Sequence, residues 1–174
     1  MRSNPYWKGV QYGDTAEGLA EVLTTRVLNR LVSRGAVCIF YTHLGKWANP
    51  SCPFSKRVRI ALERLADRYH NGDVLVTTTR RLLGYIYARE TISWRALWSG
   101  EVLVLEIARP SNCLCPVPLD QEDFDGLTFR VPVARQYEIR IDGCAVPHQV
   151  HTSNDGTGHA IIGIPWRRLV FPDI

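Results

Sequence analysis

The 174 residues suffice for one large domain or two small ones with a proper buried core. A hydrophobic fraction of 45% and a charged fraction of 22% are those of an ordinary globular protein, which excludes a fibrous or wholly disordered chain. The net charge of +4 comes mainly from scattered arginines, with lysine only at Lys8, Lys46 and Lys56, and no dense basic run marks a nucleic-acid partner.

No stretch of about 18 apolar residues exists, so no membrane span is expected. Residues 1–13 are polar and aromatic and lack the apolar core of a signal peptide. That leaves localisation open, because an export signal could lie upstream if the chain is a piece of something longer. The five cysteines are an odd number spread over both halves, and they do not fix the compartment either.

Taken in order, residues 1–13 read as a loop punctuated by Pro5, Gly9 and Gly13. Asp14 or Thr15 can cap a helix whose apolar positions Ala16, Leu19, Ala20, Leu23, Val27, Leu28 and Leu31 share one face. Arg34 and Gly35 close it. Residues 36–41 then form an apolar run with the length and composition of a strand buried on both faces. That run ends on His43 and Gly45. In α/β folds ligands sit off the carboxyl ends of such strands, so His43 is the first candidate for chemistry. A turn-rich loop with Trp47 follows, where a binding loop would lie.

A second amphipathic helix is expected from about Phe54 to Tyr69, stopped by Asn71-Gly72. Val74-Leu75-Val76 reads as a short strand, and Thr77-Thr78-Thr79 offers caps for a third helix with Leu82, Leu83 and Ile86. An α-β-α-β-α order implies parallel strands with right-handed crossovers. Two strands do not make a stable parallel sheet by themselves, so this half wants more strands than it has.

Beyond about residue 90 the grammar changes. Residues 102–107 form a strand. Alternation at Leu127, Phe129, Val131 and Val133, and at Tyr137, Ile139 and Ile141, marks half-buried strands. Asp142-Gly143 and Asp155-Gly156 are hairpin-type turns, and residues 161–164 and 169–171 close the chain. The expected architecture is α/β followed by all-β: a partial parallel (β/α) barrel-like layer over residues 1–92, then an antiparallel β-sandwich-like domain over 93–174.

The residues from Gly35 to Tyr85 resemble the last βα units of the polysaccharide deacetylase (carbohydrate esterase) superfamily. The likeness rests on Val37-Cys38-Ile39-Phe40-Tyr41-Thr42-His43, the leucine-periodic helix from Val58 to Leu65, and Gly72-Asp73-Val74-Leu75-Val76-Thr77-Thr78-Thr79-Arg80-Arg81-Leu82-Leu83. The resemblance implies a distorted (β/α) barrel that removes acetyl groups from carbohydrate, usually with a divalent, zinc-like metal, in proteins often secreted or envelope-associated. It implies a general-acid role for His43, protonating the leaving amine or alkoxide, work suited to an imidazole titrating near neutrality. Tyr41 and Trp47, beside it, are the substrate-binding candidates.

Two departures matter. Leu44 stands where the family often has Asp, and no Asp-Asp pair occurs anywhere in the chain. His148 and His151 are three apart, but they follow Pro147 in the β region and not on a helix. One histidine cannot supply a Lewis acid. The expectation is therefore the C-terminal portion of a deacetylase-like hydrolase, with no metal ligand of its own and inactive alone. Its missing N-terminal half, or a partner chain, would complete it.

Other constellations are weaker. Cys113 and Cys115 with His148 and His151 have zinc-binding chemistry but not the usual cysteine spacing. Cys52 near His43 would resemble a thiol nucleophile with its base, without a recognisable oxyanion hole. Asp155-Gly156-Thr157-Gly158 is a turn. Trp94, Trp98 and Trp166, with Trp47 and Tyr41 near His43, allow a non-catalytic carbohydrate-binding module, against the simpler reading that such rings fill seams, and the open edge of the incomplete parallel sheet allows a protein-interaction module.

Overall fold

A computed structural model describes residues 16–40, 51–52, 54–110, 118–152 and 158–167. The chain divides into two compact units, residues 1–76 and 77–174, taken here one at a time.

The first unit is helical. The helix expected from Ala16 to Arg34 is two helices, α1 (Glu17–Val22) and α2 (Thr25–Arg34), broken at Leu23 and Thr24. The break has a local cause: Thr24 is extended and its hydroxyl accepts the Val27 N–H at 3.3 Å, an N-cap that restarts the helix. Gly35 ends α2 in the left-handed conformation, with the Ala36 N–H donated to the Leu31 carbonyl at 3.0 Å.

Helix α3 (Lys56–His70) starts on a Ser55 cap and packs Ala61, Leu62 and Leu65 against Leu23, Leu28 and Leu31. Arg64 Nη1 donates to the Leu23 carbonyl at 2.7 Å, tying α3 to the α1–α2 break. Arg68 bridges Asp73 at 2.7 Å and also reaches Asn29 of α2.

The expected strands of this half do not form. Residues 36–40 and 74–76 have no strand structure, and Val37 is 61% exposed. Their composition favours a strand, but a strand needs a partner for its backbone groups, and among the described residues neither segment has one.

In the second unit, helix α4 (Thr79–Thr91) begins on Thr78, whose hydroxyl accepts the Arg81 N–H at 3.3 Å. It belongs to this compact unit, although the sequence groups it with the residues before 92. Strands β1 (Ser93–Ser99) and β2 (Val102–Ala108) form a hairpin. A short 3-10 turn (Gln121–Phe124) leads to β3 (Thr128–Pro132), then β4 (Gln136–Ile141), β5 (Cys144–Val146), β6 (Gln149–Thr152) and β7 (His159–Gly163).

Two sheets result, one in the order β1-β2-β4-β5 and one in the order β3-β7-β6. All pairings are antiparallel except β2 with β4, which is parallel, so the first sheet is mixed where an antiparallel one was expected. The chain leaves β2, builds β3 in the other sheet, and returns to β4 in the same direction. Asp142-Gly143 makes the β4–β5 turn with both residues at positive φ, as its sequence predicts. The described residues contain no closed barrel.

Both sheets share one core: Leu103, Leu105, Ile107, Ile139 and Ile141 from the first sheet, Phe129, Val131, Ala160 and Ile162 from the second. Phe124 and Ala88 of α4 extend it. Arg81 of α4 is anchored by Asp125, and Trp166 lies over its guanidinium, 5.3 Å from carbon to ring centre.

Candidate functional site

The three residues selected from the sequence, Tyr41, His43 and Trp47, lie outside the described residues. What is described is the frame on either side of them. On one side, α2 ends at Gly35 and the chain continues through residues 36–40, which are exposed. On the other, Cys52 and Phe54 lead into the Ser55 cap of α3. The Ser55 hydroxyl both caps α3 and donates to Glu17 of α1 at 2.9 Å, and Arg57 pairs with Glu21 at 2.7 Å. The described residues on either side therefore belong to the ends of two helices that pack together.

The Cys52 thiol donates to the Phe54 carbonyl at 3.3 Å. Cys38 is exposed as a residue, yet partial burial of its sulfur raises its pKa above the ordinary thiol value. A raised pKa keeps the thiol protonated, and the thiolate is the reactive form.

The described residues contain no group of three or more His, Cys, Asp or Glu side chains placed to hold a metal ion. Cys113 and Cys115 lie outside the described residues. His148 sits in the β5–β6 connection with Nδ1 3.4 Å from the Val146 carbonyl, while His151 is in β6 opposite Ile161.

The second unit holds an open cleft of about 450 Å³ at the Ser93 end of the mixed sheet. Trp94, Arg95, Glu106, Ile107 and Asp142 line it. Trp94 is braced edge-on against Phe129, with ring centres 5.1 Å apart. Arg95 places Nε and Nη2 on one Glu106 oxygen at 2.8 and 2.5 Å. Asp142 accepts the Arg109 N–H at 3.1 Å and pairs with its guanidinium.

Further along the sheet the Arg140 guanidinium, at 2.9 and 3.0 Å, holds the Glu138 carboxyl below the usual carboxylate range, so Glu138 is an anion and not a proton donor near neutrality. The sequence offers Trp94 as a binding candidate. It does not join Arg95, Glu106 and Asp142 to it, because their meeting depends on a hairpin register and a crossover. Comparison of the chain with family models, curated proteins and solved structures finds no match.

Proposed function

We propose that this chain is the C-terminal portion of a polysaccharide deacetylase-like hydrolase acting on acetylated carbohydrate, with the metal-binding half supplied from elsewhere. The observation that carries the reading is the pair of apolar segments, residues 36–40 and 74–76. Each leaves a capped helix end, each has the composition of an interior strand, and each is largely exposed, with only Val74 half-buried. Exposed Val37, Ile39, Phe40, Leu75 and Val76 are what a parallel layer leaves behind when its neighbouring strands belong to another segment. In that reading the first segment delivers His43 to the carboxyl edge of the completed sheet. There its imidazolium hands a proton to the departing amine or alkoxide as the tetrahedral intermediate collapses.

Acetate release from chitin oligomers or acetylated xylan tests this. The chain alone, with divalent metal added, is expected to release none. Joined to an upstream frame carrying an Asp-Asp motif and a His-x-x-x-His spacing, it is expected to release acetate, and His43→Ala should lower kcat by about 10²- to 10⁴-fold, the usual contribution of a general acid. Full activity of the chain alone would sink the reading, as would a joined protein indifferent to His43→Ala.

A second reading, a non-catalytic carbohydrate-binding module, is favoured by the cleft in the second unit, where an exposed indole stands beside Arg95, Glu106 and Asp142. Saturable quenching of tryptophan fluorescence by sugar, abolished by Trp94→Ala, together with no acetate release from the joined protein, would select it.

A further inference from the structure

We propose that strand β1 is the seam of a homodimer in which two copies of the chain pair edge to edge and extend the mixed sheet across a two-fold axis at Ala96. The strand lies at the end of its sheet and pairs only with β2, so its other side is an unpaired edge among the described residues. All seven of its residues are exposed, with Trp94 at 48% and Trp98 at 57%. A long, apolar, open edge is what sheet proteins ordinarily blunt with proline, lysine, bulges or shortness.

The other outer strands carry such devices: β5 has three residues and runs into Pro147, β6 has four, and β3 ends on Pro132. Strand β1 has seven residues, no proline, no lysine and an uninterrupted register. Its one charge, Arg95, is already engaged by Glu106 of its own chain.

The identity of the partner follows from the sequence of the strand. Ser93-Trp94-Arg95-Ala96-Leu97-Trp98-Ser99 reads nearly the same in both directions about Ala96. Antiparallel pairing with a second copy then sets Ser93 opposite Ser99, Trp94 opposite Trp98, Arg95 opposite Leu97 and Ala96 opposite itself. An isologous interface requires this self-complementarity, because each residue meets its own symmetry mate's counterpart.

The backbone phase agrees. Gly100, at φ +61, and Glu101 make a two-residue hairpin loop that closes on Ser99 and Val102 as a hydrogen-bonded pair. Hydrogen-bonded positions alternate along the strand, so Ser93, Arg95, Leu97 and Ser99 spend their backbone groups on β2. The N–H and C=O groups of Trp94, Ala96 and Trp98 face the open edge. These are the groups that an axis at Ala96 brings into register. On the core-facing side, shared with Leu103, Leu105 and Ile107, the same pairing sets each Trp94 beside a Trp98 of the other copy, an aromatic cross-strand pair repeated twice.

Sedimentation equilibrium on the full chain should give twice the 19.8 kDa monomer mass at high concentration. Ala96→Pro should return it to the monomer while leaving the far-ultraviolet circular dichroism unchanged, since the N–H it removes points away from β2. Ala96→Cys supplies an independent test that does not depend on tolerance of proline. The two introduced thiols would sit on Cα atoms about 5.5 Å apart, within disulfide reach. They should cross-link on mild oxidation, at a bond located by peptide mass spectrometry, whereas thiols introduced by Arg95→Cys, displaced along the strand, should not. A monomer at every concentration, a dimer that survives in folded Ala96→Pro, or cross-linking through Arg95→Cys in preference to Ala96→Cys would overturn the proposal.

Discussion

Gly84→Ala should destabilise the second unit by about 3 kcal/mol, although the same exchange in an unencumbered helix is favourable by about 0.5–1 kcal/mol. Gly84 lies in the interior of α4, on the buried stripe it shares with Arg81 and Ala88. A Cβ there would stand 1.8 Å from Asp123 Oδ1 and 2.6 Å from its carboxyl carbon. Asp123 cannot simply swing aside. It is buried, its carboxylate accepts the Asp120 N–H at 2.8 Å to complete a capping box, and Arg80 approaches the other oxygen at 3.4 Å.

Either α4 lifts off the 3-10 turn or the capping box opens, and each removes a buried contact. With roughly 4–8 °C of midpoint per kcal/mol in a unit of this size, the thermal transition should fall by about 12–24 °C. Gly18→Ala in α1, where a Cβ meets nothing within 4 Å, should instead hold or raise the stability of the first unit. Pairing Gly84→Ala with Asp123→Ala should cost less than the sum of the two single changes, because the second removes the obstruction created by the first. Strict additivity would mean that Asp123 is not what Gly84 makes room for.

Local chemistry was the legible part of this fold. The cap at Thr78, the left-handed Gly35, the apolar periods of α2 and α3, the alternation of β3 and β4, and the Asp142-Gly143 turn are each settled by a few neighbouring residues. What was misread needed a distant partner. Residues 36–40 and 74–76 have strand composition, but composition records a preference for the pleated backbone and does not supply the strand that would pair with it.

Strand β1 went unseen for the opposite reason. It is exposed on both faces, so burial imposes no alternation on its sequence, and its conformation comes from β2 through a glycine turn. Of the candidate site, the sequence selected His43 from a strand-end pattern. The Trp94 cleft gathers Arg95, Glu106 and Asp142 from three separate elements, and no spacing in the chain announces that.

The same distinction governs the largest loss expected from a single change of charge, Asp125→Ala, at about 3–5 kcal/mol. Asp125 is 3% exposed and Arg81 8%. The Asp125 Oδ2 atom accepts Arg81 Nη2 at 2.9 Å, Arg167 Nε at 3.0 Å and the Arg167 N–H at 3.2 Å. Arg81 lies 44 residues away in sequence, so no local pattern foretells the cluster.

The two cations would respond differently to removal of the carboxylate. Arg167 is half exposed and can turn its guanidinium to water at small cost. Arg81 cannot follow: it is enclosed beneath Trp166, which packs in turn on Tyr85 at 5.5 Å, and its Nε has no hydrogen-bond partner among the described residues. Among the described residues its guanidinium otherwise donates from Nη2 to the Arg167 carbonyl at 2.9 Å. A buried guanidinium without its counter-charge is the expensive outcome, whereas removing both charges is cheap when the volume is refilled.

The double change Arg81→Met with Asp125→Leu should therefore recover most of the stability lost in Asp125→Ala. Denaturant titration followed by tryptophan fluorescence reads both, as a lower midpoint for the single variant and a midpoint near the parent's for the double. A single variant losing less than about 1 kcal/mol would mean that Arg81 escapes to solvent when released, and the cluster would then be no more than a surface ion pair.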